Sequence, residues 1–299
     1  MTQTIAHLVN CLVTSLVTVR SGARDESGRR TVSKDVELGH IDASVASRER
    51  ETVIIWGIAN KAVLVTGANR GIGQALVEEA LNRGAARVYA GSRQAFSHPD
   101  ARVAPLTLDI TDAGHIQNAV DAIASLDVLV NNAGIALYDD LSDPSMLEQH
   151  LAVNFFGTYA VTQAFLPMLT RSGGAIVNNL SVNALAPLPL IPSYSISKAA
   201  AFNFTQSLRA ALAESGVSVH AVLTGPTDTD MTKGLDIPKA TTQSVAQAIF
   251  DGIIADEEEI FPDPMSRSIA QGWREGAAKA LERQYAQLIA EAATATERA

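Results

Sequence analysis

The sequence predicts an α/β protein: one parallel sheet of about seven strands, doubly wound with helices on both faces, in a single domain. Three observations predict it. From Lys61 onward short apolar runs alternate with longer amphipathic stretches, the pattern left by parallel strands and their crossover helices. The first run passes straight into a glycine-rich turn, Thr66-Gly67-Ala68-Asn69-Arg70-Gly71-Ile72-Gly73, which opens an amphipathic stretch. The 299 residues are 47% hydrophobic and 18% charged, an ordinary soluble composition with enough apolar material for a sizeable core.

In chain order, Lys61–Thr66 (KAVLVT) reads as a buried strand and Ile72–Arg83 as a helix. Arg87–Ala90 and Val103–Leu108 are the second and third strands, Ala113–Ser125 a helix, and Asp127–Val130 the fourth strand. Pro144 to about Arg171 is a long helical region, expected to bend or break near Pro167, because proline removes a helix hydrogen bond. Ala175–Leu180 is a strand, Tyr194–Glu214 a helix and Val217–Leu223 a strand. Thr241–Ala255 is a helix, Glu259–Phe261 a short last strand and Ser266–Ala293 a terminal helix. No repeat or low-complexity linker interrupts residues 59–299, which are expected to form one domain.

Residues 1–58 read differently. They carry seven basic and seven acidic side chains, so the whole net charge of −9 falls on residues 59–299. Trp56 is their only aromatic residue, and Ser21–Glu51 is polar without sustained periodicity, which reads as disorder. The apolar start has no preceding Lys or Arg and makes a poor signal peptide, while Asp25 and Glu26 argue against a mitochondrial presequence. An inert extension is expected, with an over-long start as the other reading, although no methionine lies between Met1 and Met146. A cytoplasmic protein follows from the same signals. The lone Cys11 excludes an internal disulfide and a cysteine zinc cluster. None of the six histidines has a second ligand at metal-site spacing, so no metal is expected. The acidic run Asp256–Glu259 reads as solvated surface. A net −9 argues against a nucleic-acid partner, and no apolar run is long enough to cross a membrane.

The glycine turn carries the first chemical signal. Glycine lets the backbone turn tightly and approach a pyrophosphate, and the helix start adds free amides and a positive dipole end. Gly67, Asn69, Arg70, Gly71, Ile72 and Gly73 are therefore candidate cofactor contacts. The second strand runs into Ser92-Arg93, where a carboxylate would hold the ribose hydroxyls of NAD. Ser92 with Arg93, and Arg70 within reach, suit a 2′-phosphate instead, so NADP(H) is expected in preference to NAD(H). The competing reading leaves both arginines as solvated surface charges. Asp109 and Ile110 end the third strand, where Asp109 can accept from the adenine amino group. Asn131-Asn132-Ala133-Gly134 end the fourth, with small residues and amides suited to an adenosine ribose. Asn131 equally well caps its own loop.

A second signal is a set of four polar residues. Tyr194 and Lys198 stand four apart and project from one helix face. Only roughly one free tyrosine in a thousand is ionised at neutral pH, and a nearby ammonium is expected to lower that pKa. Ser181 ends the preceding strand and can bind the same substrate oxygen as Tyr194. Asn154 puts an amide on an otherwise apolar helix face, which is costly unless paired. Each has a bland alternative alone: a chance pair, a loop hydroxyl, a helix cap. Together and in order behind a glycine turn they read as one site.

With its T-G-x-x-x-G-x-G turn and Y-x-x-x-K pair, the chain resembles the short-chain dehydrogenase/reductase family over residues about 59–262. The resemblance implies a Rossmann-type fold and hydride transfer between nicotinamide and a carbonyl or secondary alcohol. It implies that Tyr194 is the proton donor or acceptor and that Lys198 binds the nicotinamide ribose and tunes Tyr194. Ser181 would orient the carbonyl and Asn154 would hold a water in a proton relay. It places Gly225, Thr227 and Thr229 beside the nicotinamide and implies a homodimer or homotetramer. Three departures stand out. Thr224-Gly225 replaces the usual Pro-Gly, so the start of that loop is expected to be less rigid. The stretch Gln94–Arg102 is too short for the usual helix between the second and third strands, and Thr232–Ala240 makes only a small lid over the substrate. The leading function is an NADP(H)-dependent carbonyl reductase or alcohol dehydrogenase. The alternative is a non-catalytic NADP(H)-binding sensor on the same fold, which need not keep Tyr194 and Lys198 together.

Overall fold

The computed structural model describes residues 57–297, with side chains to residue 287. The expectations for residues 1–56 lie outside the described residues. The strands are β1 (Ala62–Thr66), β2 (Arg87–Ser92), β3 (Val103–Thr107), β4 (Val128–Asn131), β5 (Ala175–Asn179), β6 (Ser218–Val222) and β7 (Glu259–Ile260). They form one sheet in the order β3-β2-β1-β4-β5-β6-β7, and every neighbouring pair is parallel. The chain reverses direction across the sheet between β1 and β4, and the crevice outside strand ends at such a point is where open α/β sheets take ligands.

The helices are α1 (Gly71–Asn82), α2 (Ala113–Ala122), α3 (Pro144–His150), α4 (Thr158–Ser172), α5 (Pro192–Ala211), α6 (Thr242–Ile254), α7 (Pro264–Arg274) and α8 (Ala277–Glu297). Successive side chains of a strand point to opposite faces, so β1 splits between two cores. Val63 and Val65 pack with Leu76 and Val77 of α1 and with Ile249 and Phe250 of α6. Leu64 packs on the other face with Ile116 of α2 and with Phe165 and Leu169 of α4. Burial of both faces explains why the central strands β1 and β4 are continuous apolar runs. A third core joins Leu180, Phe202, Leu223 and Phe261 to Ala270 of α7 and seats the Ser181 region on the C-terminal helices.

Two expectations about the backbone need correction. Pro167 lies inside a continuous α4 and does not break it. The irregularity sits earlier, in a wide π-type turn over Leu151–Gly157 that joins α3 to α4 and carries Asn154; such turns gather at functional sites. The acidic run is not solvated throughout. Glu259 is buried, and Lys279 of α8, itself only 1% exposed, contacts carboxylates of Glu258, Glu259 and Glu282 at 2.7, 2.9 and 2.9 Å. Arg209 of α5 adds contacts of 3.0 Å to Glu259 and 2.6 Å to Glu282, and the Trp273 indole donates to Glu259 at 3.1 Å. Between β2 and β3 no helix forms, as the short Gln94–Arg102 stretch required.

Candidate active site

The glycine turn is built by packing as much as by backbone freedom. Gly67 and Gly71 have φ of +65° and +56°, in the left-handed region that glycine enters without strain. A Cβ on Gly73 would lie 2.0 Å from the Gly67 carbonyl oxygen and 2.6 Å from Asn132 Nδ2, so a side chain there must displace the turn. Asn132 locks that turn from β4: its Nδ2 donates to the carbonyls of Thr66 and Gly67 at 2.9 and 3.3 Å, and its Oδ1 accepts from Asn179 at 2.9 Å. The Thr66 hydroxyl oxygen accepts from the amides of Asn132 and Ala133. Among the described residues no side chain caps the start of α1 behind Arg70. The turn therefore offers uncapped helix amides and the positive end of a 12-residue helix, a donor set that fits a phosphate group.

Across the crevice, Tyr194, Lys198, Ser181 and Asn154 come together, all buried at 8%, 6%, 6% and 2% exposure. Pro192 starts α5, where its missing N–H costs nothing, and this puts Tyr194 in the first turn. Tyr194 is hydrogen bonded to Ser181, whose oxygen also accepts from the Asn183 amide at 3.1 Å. Lys198 Nζ donates to the Asn179 carbonyl at 2.8 Å and stands 5.7 Å from the centre of the Tyr194 ring. Gly134 lies between the others: a Cβ there would stand 3.1 Å from Asn154 Oδ1 and 3.7 Å from Lys198 Nζ.

The electrostatics correct one expectation. Burial pushes the Tyr194 phenol up to about 12, with the Ser181 hydrogen bond opposing it only in part. Burial pushes the Lys198 ammonium down to about 8. Among the protein's own groups desolvation thus outweighs the lowering expected from Lys198. At neutral pH Tyr194 is a neutral phenol with a proton to give, beside a lysine that is still mostly charged.

Three polar anchors, two of them missed from sequence, hold the loop after Gly134. Asn154 uses both ends of its amide on Ile135, accepting from its N–H and donating to its carbonyl at 2.9 Å each, and donates to Ser197 as well. Its side chain thereby clamps the loop to α5. His150 is fully buried; the Leu137 N–H donates to its Nε2 at 3.0 Å, so the ring proton sits on Nδ1, 2.7 Å from the Met146 carbonyl. Its ring meets that of Tyr194 edge-on at 6.3 Å. Asp139 accepts from the Ser193 hydroxyl at 2.8 Å and from its amide at 3.3 Å, next to Tyr194. The available signal for His150 was its place four residues before Asn154, on the same helix face.

The adenosine end differs from expectation at several side chains. The Ser92 hydroxyl donates to the Gln94 carbonyl. Arg93 is exposed, and its charge helps hold Asp109 below the usual carboxylate range, after the larger effect of hydrogen bonds from Thr111. Arg70 is paired with Asp230 at 2.8 Å, both largely exposed. Such a surface pair is worth at most about 1 kcal/mol, so Arg70 is readily exchanged onto another anion. Ile110 packs against Gly157 of the π-type turn. Asn131 neither caps its loop nor turns its side chain to the crevice: it is buried and donates to Thr162 and Asn178 at 2.9 Å each. Asn69 is exposed on the turn.

The loop after β6 closes the crevice. Thr229 lies against Gly71, with its Cγ2 3.3 Å from where a Gly71 Cβ would be. Thr227 is buried and donates to the Gly225 carbonyl at 3.3 Å. The expected slackness at Thr224-Gly225 is absent. The Thr224 hydroxyl donates to Asn179 at 2.7 Å, and the Gly225 amide donates to the buried carboxylate of Asp263 at 2.6 Å. Asp263 also caps α7 through Ser266. Two side-chain anchors do the work of the missing proline ring.

Comparisons with known proteins agree with this layout. A family model described as short chain dehydrogenase matches residues 61–239. The chain is 34% identical to mouse estradiol 17-beta-dehydrogenase 2 over 60% of its own length, but spans only about half, 51%, of that relative. It is 32% identical to an uncharacterized oxidoreductase of Staphylococcus epidermidis, covering 64% of this chain and 90% of that one. A crystal structure of a short chain dehydrogenase from Burkholderia cenocepacia in complex with NADP superposes with a TM-score of 0.71 at 36% identity, covering 77% of this chain and 98% of that one.

Proposed function

The chain belongs to the short chain dehydrogenase family, and from that premise we propose that it is an NADP(H)-dependent oxidoreductase acting on a carbonyl or secondary alcohol of a small molecule. The observation that carries the reading is the burial of Tyr194 against Ser181, with Lys198 and Asn154 meeting at Gly134. A sensor would need the glycine turn but no buried proton donor beside it.

When bound, the nicotinamide cofactor supplies or accepts the hydride. Tyr194 gives its proton to the carbonyl oxygen, and Ser181, already its hydrogen-bond partner, orients that oxygen. Lys198 spends one N–H on the Asn179 carbonyl and keeps others for the ribose hydroxyls. Asn154, His150 and Asp139 hold the facing loop in place. The amides of Gly71, Ile72 and Gly73 bind the pyrophosphate, with Gly67 and Asn69 forming its turn. Asn132 and Ala133 would flank the adenosine side, and Gly134, which lies against Lys198 and Asn154 rather than at the adenosine end, would join Gly225, Thr227 and Thr229 on the nicotinamide side.

NADP preference is supported by Arg93 and Arg70, by the absence of a carboxylate at Ser92, and by the NADP complex of the Burkholderia relative. Arg93→Ala is expected to weaken NADPH binding by about tenfold or more, since charge-assisted bonds are worth about 1.5–3 kcal/mol, and to leave NADH binding within about twofold. Titration of cofactor fluorescence checks this, and equal losses for both cofactors would remove the 2′-phosphate assignment. The reading takes residues 59–299 as the enzyme domain of a cytoplasmic homodimer or homotetramer. Among the described residues no helix is long and apolar enough to cross a membrane. The function itself is tested by following NADPH consumption with a panel of aldehydes and ketones.

A further inference from the structure

The sequence carries no charged residue between Arg171 and Lys198. Within that span, the stretch Ala186-Pro187-Leu188-Pro189-Leu190 is exposed along its whole length, and it lies between Ser181 and Tyr194. A run of consecutive apolar residues in water opposes solubility and is kept where it has a use. Three prolines, Pro187, Pro189 and Pro192, restrict its backbone, and the Leu188 amide donates to Ser195 of α5 at 3.2 Å. This apolar surface is therefore held in one shape beside Tyr194.

Other loops add to it. The loop after β4, tied to α5 through Asp139 and Ser193, exposes Tyr138 by 65% and Leu141 by 53%. The loop after β6, held to the glycine turn by Asp230 and Arg70, exposes Met231 and Ile237. The charges on these loops are partly engaged within the protein: Asp139 on Ser193, Asp230 on Arg70, and Lys239 Nζ on the Thr232 carbonyl at 2.7 Å. The loops tied to the Tyr194 helix and to the glycine turn thus carry exposed apolar side chains beside a polar centre.

We infer that the Leu188–Leu190 run, with Tyr138 and Met231, is a binding surface for the non-reacting part of a bulky apolar ketone or secondary alcohol. The inference rests on the oxidoreductase reading. A polar or charged substrate of compact size would leave this rim bare and gain nothing from it. An extended hydrocarbon substituent covers it while its carbonyl reaches Ser181 and Tyr194.

The test compares NADPH-dependent reduction of 2-butanone and 2-decanone by the full chain. A fully buried methylene is worth about threefold to fourfold and a half-covered one about twofold, so kcat/KM is expected to rise at least tenfold from the short ketone to the long one. The double variant Leu188→Ser/Leu190→Ser is expected to cut that ratio to about threefold or less. Ile269→Ser, a substitution at an exposed site on α7, is expected to leave it unchanged. NADPH binding and circular dichroism confirm that each variant is folded. Equal kcat/KM for the two ketones, or a ratio that survives the double variant, overturns the inference and leaves the oxidoreductase reading standing. Co-sedimentation with phosphatidylcholine–phosphatidylglycerol vesicles that is lost in the double variant, with the ketone ratio unchanged, assigns the run to a membrane surface instead. If no aldehyde or ketone of any size is reduced, the oxidoreductase reading fails and this inference falls with it.

Discussion

Tyr194→Phe is expected to lower carbonyl reduction by about 10²–10⁴-fold, the usual contribution of a positioned proton donor, with cofactor binding close to wild type. The substitution keeps the buried ring and its edge contact with His150 and removes only the hydroxyl bonded to Ser181. Its cost in stability is about 1 kcal/mol, so a large loss of rate cannot be blamed on unfolding. The pH dependence has a definite sign. With the phenol pushed up to about 12, reduction starts from the protonated form and does not fall for want of a proton at neutral pH. It is expected to decline above about pH 8, where Lys198 loses the charge that offsets a forming phenolate. Oxidation of an alcohol needs the phenolate first and is expected to rise with pH over the neutral range. Initial rates in both directions check this, and full turnover by Tyr194→Phe would end the assignment.

Lys279→Met is expected to destabilise the fold by about 3–5 kcal/mol, the range for removing one partner of a buried ion pair. The loss leaves Glu259 and Glu282 on Arg209 without their second cation and removes the ammonium from the Glu258 carboxylate. Burial acts to lower Lys279, but the hydrogen bonds it donates to Glu258, Glu282 and Glu259 outweigh it and raise the group above its ordinary value of 10.5. Its stabilising contribution is therefore present below that value and is lost as pH rises through the folded one. Burial acts to raise Glu258, but Lys279 and Arg209 outweigh it and hold it below 4.5, so its contribution is lost as pH falls through the folded value. Urea denaturation is expected to show the full gap between wild type and variant at pH 7 and a smaller one in acid, as Glu258 protonates below the usual carboxylate range. An unchanged midpoint at pH 7 would show that α8 is not held by this cluster.

The central strands β1 and β4 were legible because both of their faces are buried, which leaves apolar runs with no polar alternation to misread. The glycine turn and the Tyr194–Lys198 spacing were legible because each depends on residues adjacent in the chain. What escaped depends on residues brought together only by folding. Glu259 reads as surface until Arg209 and Lys279 arrive from other helices. Asp263 gives no sign that it will grip Gly225 across 38 residues. The π-type turn around Asn154 leaves no periodicity to detect, whereas Pro167 gave a signal for a break that the helix absorbs. The direction of the Tyr194 shift could not be read from spacing alone: it turns on burial, and burial is supplied by the surrounding fold.

The most direct test of the central claim is deuteride transfer from NADPH labelled at nicotinamide C4 to a ketone, followed by mass spectrometry of the alcohol. The expected result is one deuterium on the carbinol carbon with wild-type protein and a yield lower by about 10²-fold or more with Tyr194→Phe. Tight NADPH binding with no labelled alcohol from any ketone or aldehyde offered would contradict the account and leave a cofactor-binding sensor in its place.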